Sequence, residues 1–124
     1  MPLSIFVLVL VSVASSSLAQ ILLKHGMSSS AVQSVMRDLS ASNILVVATN
    51  PYVLGGLGLY GVGALVWLGV LARVDVSVAY PFVSLGFILT MILAILLLGE
   101  PLSMLRVVGT GFIAVGAVLV ARSA

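Results

Sequence analysis

Four stretches of this chain, Leu3 to Leu23, Pro51 to Leu71, Val76 to Leu98 and Leu102 to Val120, are almost uninterrupted apolar sequence. A helix of about 20 apolar residues, rising about 1.5 Å per residue, matches a hydrocarbon core about 30 Å thick. Each stretch therefore reads as a spanning helix. Of the 124 residues, 62% are hydrophobic and 6% are charged, against about 25% charged in a soluble domain. Such a chain cannot solvate a globular surface. The expected fold is an all-α membrane protein in which residues 1–124 form a single transmembrane domain of four helices.

The breaks between the last three spans are short. Ala72-Arg73-Val74-Asp75 holds a charge pair, and Gly99-Glu100-Pro101 joins a helix-stopping Gly to a Pro suited to opening a helix. Tight turns make neighbouring helices antiparallel. The first connection is longer. After Ser28-Ser29-Ser30, the apolar Ala31, Val32, Val35, Met36 and Leu39 recur at three- and four-residue spacing opposite Gln33, Ser34, Arg37 and Asp38. That pattern predicts a short amphipathic helix over 31–39, lying in the membrane interface between the first and second spans. Ile44 to Ala48 is apolar but short, and Asn50-Pro51 makes a natural break before the second span. Ser17-Leu18-Ala19 before Gln20 has the small-residue pattern of a leader cleavage site, but no Lys or Arg precedes the apolar run, which favours retention of the segment.

The absence of cysteine removes disulfides, thiolate metal sites and thiol nucleophiles, and one His with three acids leaves little for a metal cage. Five scattered basic residues do not make the dense stripe that phosphate neutralisation on a nucleic acid requires. No metal and no nucleic acid partner is expected. Four spans put both termini on one face with Arg73 and Arg122, and Lys24, Arg37 and Arg106 on or near the other. With the amino terminus counted, this is almost a tie under the positive-inside rule. The expectation is cytoplasmic termini.

Polar groups that are costly to bury mark function in a membrane protein. In the first span Ser12, Ser16, Gln20 and Lys24 recur every four residues, one slowly drifting stripe at 3.6 residues per turn, with Ser15 and Ser17 beside it. Lipid tails offer no hydrogen bonds, so the stripe should face protein or a wet cavity. The serines fit either helix packing or a lining role, and Lys24 fits either a snorkelling anchor or a phosphate contact. Gln20 favours lining, since its amide needs several partners at depth. His25 reads as an interfacial residue and Trp67 as an interfacial anchor. Tyr80 and Ser84, polar groups early in the third span, complete the substrate-binding candidates. Arg37, Arg73, Asp75 and Glu100 are candidates for gating or headgroup contacts, and Arg73 and Asp75 are also placed to pair. No acid lies within a span, so the ionisable group that a proton-coupled exporter needs at depth is missing. The second span contains Gly55, Gly56, Gly58, Gly61, Gly63 and Gly69, which suits close backbone packing or a ligand groove. Gly109 and Gly116, seven apart, share a face with Ile113 and Val120 that is a candidate dimer seam.

Together these residues resemble a four-helix member of the drug/metabolite transporter superfamily, close in length to the small multidrug resistance proteins. Val76-Ser77-Val78-Ala79-Tyr80-Pro81 and Gly99-Glu100-Pro101-Leu102, continuing through Arg106, Gly109 and Gly116, carry the resemblance over about half of the chain. The multidrug exporters have a membrane-embedded Glu eight residues before a Lys near the end of the first helix; here that position is Ser16. The set Ser16, Gln20 and Lys24, with Asn50-Pro51-Tyr52 leading into a Gly-rich helix bearing Leu65, Trp67 and Leu68, looks like the paired subunits that flip aminoarabinose attached to undecaprenyl phosphate. The resemblance implies a flippase for a polyprenyl phosphate-linked sugar in the bacterial inner membrane, built as a homodimer or as a heterodimer with a similar small subunit. It implies neither cofactor nor enzyme activity. In that setting Lys24 meets the phosphate, Gln20 and Ser16 bond the sugar or phosphate, and Tyr80 shapes the wall. Two rival expectations are a small-molecule exporter using Asp75 or Glu100 as proton carrier, and a non-transporting membrane partner of a glycosyltransferase.

Overall fold

A computed structural model describes residues 3–38 and 40–123, apart from the side chain of Ser42. The described residues form helices joined by turns: α1 (Leu3–Met27), α2 (Ser30–Met36), α3 (Ala41–Ala48), α4 (Pro51–Leu71), α5 (Val76–Ala79), a 3₁₀ turn (Tyr80–Phe82), α6 (Val83–Leu98) and α7 (Met104–Arg122). Four helical runs are long and apolar enough to cross a membrane: α1, α4, the run Val76–Leu98 and α7.

The boundaries differ from the sequence expectation in three places. α1 does not stop at Leu23 but continues to Met27, taking Lys24 and His25 into its last turn, where cations complement the carbonyl end of the helix dipole. The interfacial helix expected over 31–39 covers only Ser30–Met36, capped by the Ser29 hydroxyl, which accepts from the Val32 N–H at 3.3 Å. Leu39 lies outside the described residues, and a second short helix, α3, follows. The last helix starts at Met104 rather than Leu102. Gly99 ends α6 in the left-handed conformation (φ 68°), and Pro101 stays in the connection. Ser103, accepting from the Arg106 N–H at 3.2 Å, is the cap. At the start of α4 the expected break holds: Pro51 occupies the first turn, and the Asn50 side chain accepts from the N–H groups of Tyr52 and Val53 at 3.0 and 3.2 Å.

α1 is the central post. It packs along α4 and, on another face, against α6, while α7 packs chiefly on α6 and the 3₁₀ turn. The core is Val9, Val13, Val70, Ala79 and Phe82, and Phe82 meets Phe6 edge-to-face with ring centroids 6.4 Å apart. Gly56 and Gly63 allow α4 to approach α1. A Cβ on Gly56 would lie 2.8 Å from Leu23 Cγ, and one on Gly63 would lie 3.1 Å from Ser15 Cβ. Gly55, Gly58 and Gly61 face open space. The glycines of this span therefore divide, those toward α1 serving close packing. α7 buries only Ala117 among its described residues; a Cβ on Gly109 or Gly116 would meet nothing within 4 Å beyond its own helix, and Ile113 is exposed.

Candidate functional site

Three helix faces enclose a cavity of about 250 Å³. α1 contributes Val13, Ser16, Ser17 and Gln20, with Ser12 beside them. α4 contributes Tyr60, Gly63, Ala64 and Trp67. The third span contributes Val83, Gly86, Phe87 and Thr90, with Tyr80 from the 3₁₀ turn. Each set of four follows i, i+3, i+4, i+7 spacing, so each wall is one continuous helix face. Gln20, Tyr60, Tyr80 and Phe87 are exposed, at the open side of the cleft.

Two hydroxyls of α1 tie it to the other two walls at a fixed spacing. Ser12, 3% exposed, donates to the Gly63 carbonyl at 2.8 Å, tying α1 to α4. Ser17, 1% exposed, donates to the Gly86 carbonyl at 3.1 Å, tying α1 to α6. Ser16 bonds back to the Ser12 carbonyl at 3.0 Å. Glycines stand at both receiving positions because a side chain there would push the partner helix away; a Cβ on Gly86 would lie 3.3 Å from Val13 and 3.5 Å from the Ser17 hydroxyl.

Of the sequence candidates, Ser12, Ser16, Gln20 and Tyr80 converge on the cavity, with Ser12 committed to the Gly63 carbonyl. Lys24 does not line it. Four-residue steps drift by roughly 40° each around a helix with 3.6 residues per turn, so the stripe rotates outward and Lys24 is exposed one turn beyond Gln20. Ser84 points elsewhere and donates to the Pro81 carbonyl, filling part of the gap left by the break in the third span. Tyr80 reaches the wall because Pro81 interrupts the α-helix with a 3₁₀ turn.

Arg37 and Asp38 are exposed beyond α2. Arg73 and Asp75 do not pair: Arg73 donates to the Gly69 carbonyl at 3.0 Å, and no ion pair forms among the described residues. Asp75 precedes α5 without capping it through its side chain, and Glu100 lies past the end of α6. Trp67 belongs to the cavity wall and the edge of the core, four residues before the end of α4. Its signal was available as the Tyr60, Gly63, Ala64, Trp67 face. Thr90, Phe87 and Ser17 were likewise not singled out as lining residues. His25 packs edge-to-face on Tyr52, centroids 4.4 Å apart, at the far end of α1.

No carboxylate, imidazole, ammonium or guanidinium lines the cavity, and no group of three or more metal-ligating side chains gathers among the described residues. What remains for a ligand is the Gln20 amide, hydroxyls and aromatic rings. That set suits a polar sugar-like ring, whose faces stack on aromatics, whose hydroxyls exchange hydrogen bonds with amide and hydroxyl groups, and whose amino group, where it has one, can lie over an aromatic face.

Fold and cleft define a small multi-pass membrane protein with an uncharged, largely apolar cleft that carries an amide and hydroxyls beside its central helix. A probable 4-amino-4-deoxy-L-arabinose-phosphoundecaprenol flippase subunit ArnF from Aeromonas salmonicida is 30% identical over 117 residues, covering 93% of this chain and 77% of that protein. The correspondingly named subunit ArnE of Pseudomonas aeruginosa is 41% identical over 64 residues, 52% of this chain and 56% of its own length. ArnF of Aeromonas hydrophila is 40% identical over 70 residues, 55% of this chain and 48% of its own length. In these two shorter matches the chain spans about half the length of the curated relatives it matches. No protein-family model and no solved structure matches. The near full-length match shows that the chain belongs to the family of these flippase subunits, and with its four apolar helices it is a multi-pass bacterial membrane protein.

Proposed function

We propose that this protein is a subunit of a flippase that moves a polyprenyl phosphate-linked sugar between leaflets, with 4-amino-4-deoxy-L-arabinose-phosphoundecaprenol as the substrate suggested by its relatives' names. The observation that carries the reading is the composition of the cleft: amide, hydroxyls and aromatic rings, with no carboxylate among its lining residues. A drug/proton exporter needs an acid at depth, whereas a sugar needs the groups this cleft offers. The sugar enters between α4 and α6, Gln20 and Ser16 exchange hydrogen bonds with it, and Tyr80 and Trp67 form its walls. Lys24, one turn further along α1, meets the phosphate at headgroup level. The hydrocarbon tail stays in the bilayer at the open side.

The cavity of about 250 Å³ falls just below the roughly 300–1,000 Å³ of small-ligand pockets and is open on one side, where a second subunit would complete it. The partner is a second copy or a similar small subunit, docked over the cleft and along the Gly109 and Gly116 face of α7. Residues 1–124 act as one transmembrane domain in the inner membrane, with cytoplasmic termini. Transport makes and breaks no covalent bond, so the protein works without enzymatic activity and without a cofactor.

The test is leaflet exchange of labelled undecaprenyl phosphate-sugar in proteoliposomes, with this chain alone and together with a related small subunit. Exchange above protein-free vesicles, reduced in both Gln20→Ala and Lys24→Ala, supports the proposal. Exchange that both variants retain in full refutes the assigned contacts, and no exchange with either subunit composition refutes the substrate class.

A further inference from the structure

The two short helices between α1 and α4 have opposite characters. α2 packs against α3 and α1, burying Val32 fully and Val35 nearly so, and leaves Gln33, Ser34 and Arg37 outside. In α3 the half-buried positions are Asn43 and Val47, one turn apart, which marks the face toward the protein. The opposite face is Ala41, Ile44, Leu45 and Ala48, an i, i+3, i+4, i+7 stripe without a polar group, and every one of these residues is exposed. Ile44 and Leu45 are 56% and 63% exposed. A helix that lies on water presents polar residues outward; among the described side chains of α3, those that are exposed are all apolar.

Its position fixes what covers that stripe. The 21 residues of α4 rise roughly 31 Å, about the hydrocarbon thickness, so Pro51 stands at one boundary of the bilayer. α3 ends three residues earlier at Ala48, and its eight residues extend only about 12 Å, too short to leave the boundary zone or to cross the core. The other end is held as well: the Asn50 side-chain amide, whose oxygen caps α4, donates to the Ser29 hydroxyl that caps α2, at 3.5 Å. Asn43 folds back to donate to the Asp38 carbonyl at 2.7 Å, closing the turn that leads into α3.

We infer that α3 is a membrane-immersed surface helix whose Ala41, Ile44, Leu45 and Ala48 stripe docks on the acyl chains just below the headgroups of one leaflet. α2 clips the connection to the bundle and α3 clips it to the lipid. The exposed Arg37 and Asp38 at the turn between them then sit at headgroup level, and the α1 and α4 ends of the bundle are held at one depth. The inference rests on the spanning helices and stands whatever substrate the cleft carries.

The chain contains no cysteine, so Leu45→Cys, Ser34→Cys and Leu65→Cys each carry a single environment-sensitive fluorophore. Leu65, 70% exposed on α4, is the lipid-facing reference, and all three sites lie outside the core. In phosphatidylethanolamine and phosphatidylglycerol vesicles, the label at residue 45 should be quenched by a nitroxide shallow on the acyl chain. A water-soluble quencher should reach it severalfold less well than it reaches the label at residue 34. Equal aqueous quenching at residues 45 and 34 overturns the inference by placing α3 in water. Protection of residue 45 from both quenchers, with residue 65 quenched normally by the nitroxide lipid, overturns it by putting a protein on the stripe instead of lipid.

Discussion

Replacing Gly63 with Val tests whether the α1–α4 seam is as tight as its geometry requires. A Cβ at Gly63 would stand 3.1 Å from Ser15 Cβ and 3.4 Å from the Ser12 carbonyl, before either valine methyl is added. Gly61, two residues earlier on the same helix, has nothing within 4 Å, so Gly61→Val carries the same change in helix propensity and none of the collision. The difference between the two variants isolates packing. Forcing extra carbons into a closed seam costs about 1–3 kcal/mol, and prising α4 away also breaks the Ser12 bond to the Gly63 carbonyl, a net loss of about 1 kcal/mol. Gly63→Val should therefore be about 2–4 kcal/mol less stable than Gly61→Val. Equilibrium unfolding in mixed micelles of increasing SDS content measures this, with the lone tryptophan, Trp67 on the cleft wall, as a reporter one turn away. Adding Ser12→Ala to Gly63→Val should cost less than it does in the parent protein, because the bond is already broken. Equal stability of the two valine variants would refute the seam.

Three further outcomes follow from the same geometry. Ser17→Ala removes the single side-chain bond from α1 to the Gly86 carbonyl and should lower stability by about 0.5–1.5 kcal/mol in the same assay, with Ser28→Ala, whose hydroxyl bonds only within its own exposed turn, as the neutral control. Since no carboxylate lines the cleft, Asp75→Asn and Glu100→Gln should each keep leaflet exchange within twofold of the parent, and exchange should stay flat across the acid range in which carboxylates titrate; loss of exchange in either variant would restore the proton-coupled reading. Gly116→Leu, at a position with open space around it, should leave the subunit folded by circular dichroism but weaken its association with a second subunit, measured by energy transfer between labelled chains in vesicles.

The fold was legible because crossing a bilayer demands a run of a set length, and four such runs stand out whatever their neighbours do. Their ends were less legible because several local devices compete for each one. Pro101 suited the start of a helix by itself, yet it follows a left-handed Gly99 and precedes Ser103, whose hydroxyl caps the Arg106 N–H, so the chain passes Pro101 by. α3 was missed because five apolar residues in a row show no period; its stripe emerges only when Ala41 is counted in and Asn43 and Val47 are seen to face the protein.

The site divides along the same line between local and tertiary information. The every-fourth-residue pattern found one wall, but whether a serine lines a cavity or ties two helices depends on which carbonyl stands opposite, and Gly63 and Gly86 are 51 and 69 residues away from Ser12 and Ser17. The pairing of a buried serine on one helix with a glycine on another is thus the unit to look for, more than the serine stripe itself. It also assigns the labour within the stripe. Ser12 and Ser17, their single protons already donated, set the width of the cleft; Gln20 is exposed at its mouth with a side-chain amide that bonds none of the described residues, and in the proposed function it is that amide which meets the cargo. On the proposed function, width and recognition belong to different residues on one helix, so a substitution at Ser12 or Ser17 should alter stability and all cargo alike, whereas a substitution at Gln20 should leave stability unchanged and alter which headgroup is carried.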